Sequence, residues 1–435
     1  MFFAQRQPSH IEKNRHLGTM LCKYTWGLHF GLIFLIFPSV LFSQIDLDKN
    51  SYFERTGAVR LESYNYLLKG KRIGVVAHAP SLSQGKWDDA NHTVVNYSNY
   101  LKPIHTVDRC LKNGWNVTRI FSPEHGFRGA APAGEIVLDD IDPVSGLPIT
   151  SLYGSHKKPT KNDLKDLDVV VFDLQDIGVR FYTYISTLSY VMEACAENEK
   201  LLIVLDRPNP FASVVDGPIL DTSYSSFVGM HPVPILYGLT IGEYALMTKG
   251  EGWINNASKL NLKVLTIPNY KRESWHSPIP PSPNLPNVKS VRLYPSLCLF
   301  EACPVSVGRG TNYPFQIIGS PWCIGKSFSF KPMPNLGSKY PKFNNQICHG
   351  EDLRDLKLSA TGFDLKYIID YYKEWKNNNS NSEKSFFSPF FDKLAGTSLL
   401  KNQIQDGIEL EKIEASWSIK LEDYKKNIRS KYLLY

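Results

Sequence analysis

Between Leu61 and about Pro278 the chain repeats one pattern: a short, almost purely apolar run, a polar residue or cluster at its end, then a helical stretch. No other feature restricts the possible folds as much. Arg72–His78 (RIGVVAH), Asn116–Phe121, Asp168–Asp173, Leu201–Leu205 and the NLKVLTIPNY stretch read as strands. Lys102–Gly114, Phe181–Glu199 and LTIGEYALMTKG up to Gly250 read as the helices between them. Strands apolar on both faces, alternating with helices, predict a parallel sheet covered on both sides, an α/β class of fold.

The strand ends carry the chemistry. His78, the run Ser122-Pro123-Glu124-His125, the run Asp173-Leu174-Gln175-Asp176 and Asp206-Arg207-Pro208-Asn209 all fall at or just beyond strand C-termini. In an open α/β sheet that edge is where ligands bind. A nucleotide is not indicated: no G-x-G-x-x-G follows the first strand, and GSPWCIGKS has one residue too many between its glycines for a phosphate loop.

After PIPPSPNLPNV (Pro278–Val288) the pattern changes to mixed short strands and a helical stretch from Asp392. The proline density marks a linker or a stretched binding loop. At 435 residues the chain suits two domains, and the boundary is placed near residue 285, with a Rossmann-like domain over 45–285 and a smaller α+β domain over 286–435. The formal charge of +7 is spread over many short clusters, so the focused basic footprint of a nucleic-acid binder is missing. Aromatics reach 12%; they serve core packing or a platform for sugar rings.

The first 44 residues stand apart. Lys23 precedes an apolar run, Gly27 to Phe42, broken only by His29, Pro38 and Ser39. The run is short for a membrane span and reads as a secretory signal, with Met20 giving a more typical start than Met1. Export to the periplasm or beyond, without membrane insertion after signal removal, is the expectation. Six cysteines follow the signal: Cys110, Cys195, Cys298, Cys303, Cys323 and Cys348. Export permits oxidation, but a chain this long needs no staples. Buried free thiols are expected, with Cys298–Cys303 or Cys298–Cys323 the pairings to check. His78, His125 and His231 do not sit at zinc-ligand spacing, and neither metal nor cofactor is expected.

Splitting a glycosidic bond needs one protonated carboxyl at the leaving oxygen and a second group that supplies charge, base or nucleophile. Glu124 suits the first role. It follows an apolar strand, Pro123 keeps Ser122 extended, and Gly126 and Gly129 leave room for a substrate; the competing reading is a helix cap or a partner for Arg128. Asp173 and Asp176 are candidates for the second role. Asp206 and Arg207 fit substrate contact or a structural salt bridge equally. Arg180 suits a substrate carboxylate through bidentate pairing, or an internal pair with Asp176. Asn284, Glu301, Arg309 and Asn312 form a second polar set, in which Gly308 and Gly310 let backbone approach a ligand. Glu301 is the alternative second carboxylate. No G-x-S-x-G occurs and no Cys–His pair suggests itself, which weighs against an amidase or esterase.

SPEHGFRG, LPITSLYG, VFDLQDIGVRFYTYISTL, DRPNP, GLTIGEYA, PSPNLP, VGRGTNYPF, FDKLAGT and IEASWSIKLEDYKKNIRSKYLLY occur in order from about Lys71 to Tyr435. Together they resemble the bacterial exo-β-N-acetylmuramidases. The resemblance implies removal of terminal, non-reducing N-acetylmuramic acid from peptidoglycan fragments, a Rossmann-like domain with a smaller C-terminal one, and a site in the cleft between them. It carries over the glutamate of SPEHG, Glu124, as general acid. His78, His125, Arg180, Tyr182, Asp206, Arg207, Asn284, Glu301, Arg309 and Asn312 are expected in the cleft, with Arg180, Arg207 or Arg309 on the muramyl lactate carboxylate and Tyr182 and Tyr184 walling the sugar. Ala302-Cys303-Pro304 departs from the Gly-Thr-Asn type of run expected beside Glu301, and Tyr313 precedes the Pro-Phe pair. The alternative from another class is a non-catalytic periplasmic binder of sugars or muropeptides, whose binding would survive Glu124→Gln.

Overall fold

The computed structural model describes residues 53–95, 102–128, 139–273, 279–357, 362–378 and 385–435. The apolar run read as a signal and Gly129 lie outside the described residues. Seven strands form the main sheet: β1 (Arg72–Ala77), β2 (Asn116–Ser122), β3 (Asp140–Ile141), β4 (Pro148–Ser151), β5 (Val169–Asp173), β6 (Leu201–Leu205) and β7 (Asn261–Leu265). Their order is β7-β6-β5-β1-β2-β4-β3, parallel except for the β3 edge. The chain leaves β1 for β2 on one side and returns to β5 on the other, so the order reverses around β1. That reversal opens a crevice at the carboxyl ends of β1, β2 and β5.

Side-chain alternation explains why the central strands β1, β5 and β6 are almost wholly apolar. Ile73, Val75, Val171, Ile203 and Leu205 point to one core, with Ala58, Leu61, Val107 and Cys110 packed over it. Val76, Val170, Phe172, Leu202 and Val204 point to the other. Two buried faces at a period of two leave little room for a polar side chain inside these central strands. The second core is covered by helices α2 (Tyr184–Glu197) and α3 (Ile241–Gly250) and continues into the C-terminal part through α4 (Val288–Leu297).

The C-terminal part holds a small antiparallel sheet, β8 (Ile317–Ser320), β9 (Phe328–Phe330) and β10 (Cys348–Asp352), in the order β8-β10-β9. Helix α5 (Lys366–Asn378) and three further helices, α6 (Phe390–Ala395), α7 (Leu399–Gln405) and α8 (Leu410–Asp423), complete it. The helical stretch expected from Asp392 is broken after α6 by Gly396, whose φ of 76° closes the helix in a left-handed cap.

Several boundaries differ from the sequence reading. The helix expected over Lys102–Gly114, α1, runs Thr106–Lys112, because Ile104–His105 pairs with Leu82–Ser83 and His105 accepts the Val107 N–H as a cap. Helix α2 starts at Tyr184, because the Tyr182 N–H is taken by the Val179 carbonyl in a preceding turn. The β3–β4 edge is short and carries polar residues, and its apolar signal is too weak to read. The six described cysteines are free and buried; burial pushes the Cys110, Cys195 and Cys298 thiols up to about 12. No described helix is long and apolar enough to cross a membrane.

Buried histidines couple this fold to pH. His231 stacks on Trp253 and bonds Ser189 at 2.9 Å, and burial pulls its pKa down to about 4. A histidine held neutral on folding contributes stability above its unfolded pKa of about 6.5, and that stability is lost as the pH falls toward 4. Between those limits His231→Gln is expected to flatten the acid loss of stability by roughly 1.4 kcal/mol per pH unit. Urea unfolding of both chains at a series of pH values checks this; parallel curves would contradict it.

Candidate active site

Strand β2 ends in a tight turn. The Gly126 N–H donates to the Pro123 carbonyl at 3.1 Å, and His125 takes a φ of 73°. That positive φ at the third residue of a turn is uncommon outside glycine, and it leaves Glu124 displayed at the sheet edge. Glu124 is half-buried. Thr183 Oγ1, just ahead of α2, donates to Glu124 Oε2 at 3.1 Å. The Tyr153 hydroxyl also hydrogen-bonds Glu124, and burial and that carboxylate raise the Tyr153 pKa. Arg128 is occupied elsewhere, on Asp142 at 2.8 Å and Asp108 at 3.3 Å.

Glu124 opens onto a pocket of about 390 Å³, open solvent at its mouth included. Tyr182, Tyr184 and Tyr294 wall one side, and Tyr182 meets each of the other two edge-on at 4.9 and 5.8 Å. Ser282 and Asn284 of the proline loop, and Arg309 beyond it, close it. A second, roomier cleft of about 1,060 Å³ between α4 and α5 is lined by Arg292, Glu351, Asp364 and Asp370 among others. It lies away from the carboxyl edge and holds none of the predicted residues.

His78 stands behind the tyrosine wall. The Gln175 N–H donates to its Nε2 at 2.9 Å, so the ring proton sits on Nδ1, facing the Tyr184 hydroxyl at 3.1 Å. Burial, with Arg207 nearby, holds its pKa well below the usual histidine range. It supports the pocket without lining it.

The expected residues therefore divide. Glu124, His125, Tyr182, Asn284 and Arg309 line the pocket, together with Tyr184. Asp173 does not reach it: Arg207 holds both its oxygens at 2.6 and 2.9 Å, and Thr106 bonds it too. Asp176 lies buried, bonded by the Tyr237 hydroxyl and by the Gly178 N–H at 2.6 Å, and burial lifts its pKa to about 6. Asp206 is buried beneath α3, where the Gly242 N–H, Thr240 and Tyr435 donate to it at 2.7–2.8 Å. Burial and Glu243 push its pKa up to about 7.

Arg180 contacts neither Asp176 nor the pocket. Its guanidinium donates to the backbone carbonyls of Pro218, Val233, Leu394 and Ala395 at 2.7–3.0 Å. Glu301 binds Arg309 Nε at 2.7 Å from outside the pocket lining. Burial alone would raise its pKa, but Arg309 and Lys342 hold it below the usual carboxylate range. Asn312 is exposed on the loop beyond. Among the described residues no cluster of His, Cys, Asp or Glu is placed to hold a metal ion.

Tyr153, Thr183, Ser282 and Tyr294 were not singled out as site residues from the sequence. Tyr153 follows β4, a strand too short and too polar to recognise; once that strand is placed, Tyr153 stands at a fifth carboxyl end. Tyr294 sits in α4, where an aromatic at helical spacing looks like core.

A displayed carboxyl, a wall of tyrosines and a guanidinium, gathered at the carboxyl edge of a parallel sheet, define an α/β protein suited to acid–base chemistry on a polar ring such as a sugar. Comparison with known proteins makes this specific. The sequence profile for the N-terminal part of exo-β-N-acetylmuramidase NamZ matches residues 90–289, and that for its C-terminal part matches residues 292–435. Peptidoglycan β-N-acetylmuramidase NamZ of Bacillus subtilis (strain 168) is 38% identical over 400 residues, 86% of this chain and 89% of that protein. Two crystal structures of DUF1343 family proteins from Bacteroides fragilis NCTC 9343 superpose with TM-scores of 0.75 and 0.69, at 40% and 29% identity. Each covers 88% of this chain and 98% of its own. The chain belongs to the exo-β-N-acetylmuramidase family, and it is a glycoside hydrolase acting on peptidoglycan.

Proposed function

We propose that the protein releases terminal, non-reducing N-acetylmuramic acid from peptidoglycan fragments, with Glu124 as the general acid. The observation that carries this reading is the placement of Glu124. It is a carboxyl displayed at a strand end, oriented by Thr183 and Tyr153, and open to a pocket walled by tyrosines. Glu124 gives its proton to the glycosidic oxygen as the bond to the anomeric carbon breaks, so the leaving sugar departs as an alcohol, and water adds to the anomeric carbon with loss of a proton. Thr183 fixes Oε2 and with it the direction in which the other oxygen points. The faces of Tyr182 and Tyr184 exclude water and pack on the C–H surface of the ring.

The apolar run Gly27–Phe42 behind Lys23 supports export, which would bring the enzyme to its polymer. Incubating the purified chain with a chromogenic β-glycoside of N-acetylmuramic acid, and separately with the N-acetylglucosamine counterpart, tests the reading. Chromophore release from the muramyl substrate is expected, with the other well behind. No release by a folded sample would end the proposal.

A further inference from the structure

Muramic acid differs from glucosamine in a lactyl ether that carries a carboxylate. A pocket that selects it gains most from a fixed cation presenting paired N–H donors. Three arginines were candidates from the sequence, and the structure distinguishes them. Arg180 spends its donors on four backbone carbonyls. Arg207 is closed onto Asp173. Arg309 alone of the three lines the pocket that Glu124 opens onto.

The setting of Arg309 is built around its guanidinium. Glu301 takes Nε at 2.7 Å, and the plane lies over the Phe315 ring at 5.0 Å. Among the described residues nothing bonds Nη1 or Nη2, and about a quarter of the side chain, 24%, stays exposed. Glu301 is held in turn beside Lys342, whose ammonium is caged by the carbonyls of Phe300 and Val305 at 2.9 and 3.1 Å. Gly308 and Gly310 flank Arg309, each with a φ of 78°. A Cβ on Gly310 would meet the Met333 carbonyl oxygen at 2.6 Å, and one on Gly308 the Tyr313 carbonyl oxygen at 2.7 Å. The loop therefore runs close against its neighbours and leaves the arginine little freedom.

We infer that Arg309 reads the lactyl carboxylate of the substrate through its two terminal nitrogens, with Glu301 as the positioning residue that orients it. This rests on the muramidase reading above and adds to it the residue that tells muramic acid from glucosamine. Charge-assisted hydrogen bonds of this kind contribute about 10–100-fold in discrimination.

The test compares a chromogenic N-acetylmuramic acid glycoside with its lactyl methyl ester, which keeps the shape and removes the charge. The wild-type chain should favour the free acid in kcat/KM by about 10–100-fold. Arg309→Met should bring the two substrates to within a few-fold of each other. Glu301→Gln should give an intermediate ratio, and Arg309→Lys should recover part of the preference without the bidentate share. Turnover of neither substrate by the wild type would overturn the muramidase reading itself. Turnover without preference for the acid, or a preference that survives in Arg309→Met, would overturn the assignment of Arg309 and leave that reading standing. A loss shared equally by both substrates in Arg309→Met, with the acid-to-ester ratio unchanged, would reduce Arg309 to a structural part.

Discussion

Glu124→Gln is expected to lower kcat on a natural muramyl disaccharide by about 10²–10⁴-fold, the range general acid help supplies. The replacement is close in shape. Its amide oxygen can still accept from Thr183, which holds Oε2 at 3.1 Å, so the turn and the pocket should stand. What is lost is a proton to give. The loss should depend on the leaving group: a nitrophenolate departs with little help, whereas the sugar alcohol of a natural disaccharide cannot. Steady-state kinetics with both substrates, beside calorimetric titration with N-acetylmuramic acid, separates catalysis from binding. A Glu124→Gln chain that keeps kcat within a few-fold on the disaccharide would move the acid role elsewhere.

The second large effect is on stability. Asp173 and Arg207 lie buried side by side at the end of β5, joined at 2.6 and 2.9 Å. Removing one partner from such a pair strands a charge away from water and costs about 3–5 kcal/mol. Arg207→Ala is expected to lose that much in urea unfolding. The double replacement Asp173→Asn with Arg207→Met should lose less than the sum of the two singles, because it strands no charge. The same measurement decides between the two roles Arg207 had on sequence grounds. If Arg207→Ala unfolded within 1 kcal/mol of the wild type, roughly the ordinary range of a single substitution, while its activity collapsed, the guanidinium would be serving substrate.

The sheet was legible because its strands are buried on both faces, and that condition leaves long β-branched runs such as Ile73–Val76 and Val169–Phe172. Strand ends then located the site, and Glu124 followed from the sheet's carboxyl edge. The reading did not separate the polar residues at that edge that line the pocket from those held by neighbours behind it. Asp173, Asp206 and Arg207 stand at strand ends as Glu124 does, and sequence carries no sign of which one a neighbour will neutralise. That depends on contacts at long range: Asp206 is met by Thr240 and Tyr435, and Arg180 by Leu394 and Ala395. Glu124 differs in being met by hydroxyls at a pocket wall. Tyr153 was missed for the opposite reason, since the strand it follows is four residues long and pairs with β2 along only three of them.

The clasp made by Arg180 has a consequence for how the protein can change. Its four acceptors are main-chain oxygens, at Pro218, Val233, Leu394 and Ala395. Burial pulls its pKa down to about 9, which still leaves it charged at neutral pH. A tie made to backbone oxygens is indifferent to the side chains at those four positions, so they are free to drift provided the local path of the chain is kept. The restraint falls instead on Arg180 and on the two glycines packed against it, Gly229 and Gly396. A Cβ on Gly396 would stand 2.6 Å from the guanidinium nitrogen Nη2. Mutational tolerance around this joint should be lopsided, with one cation and its bare neighbours fixed and the partners it holds replaceable.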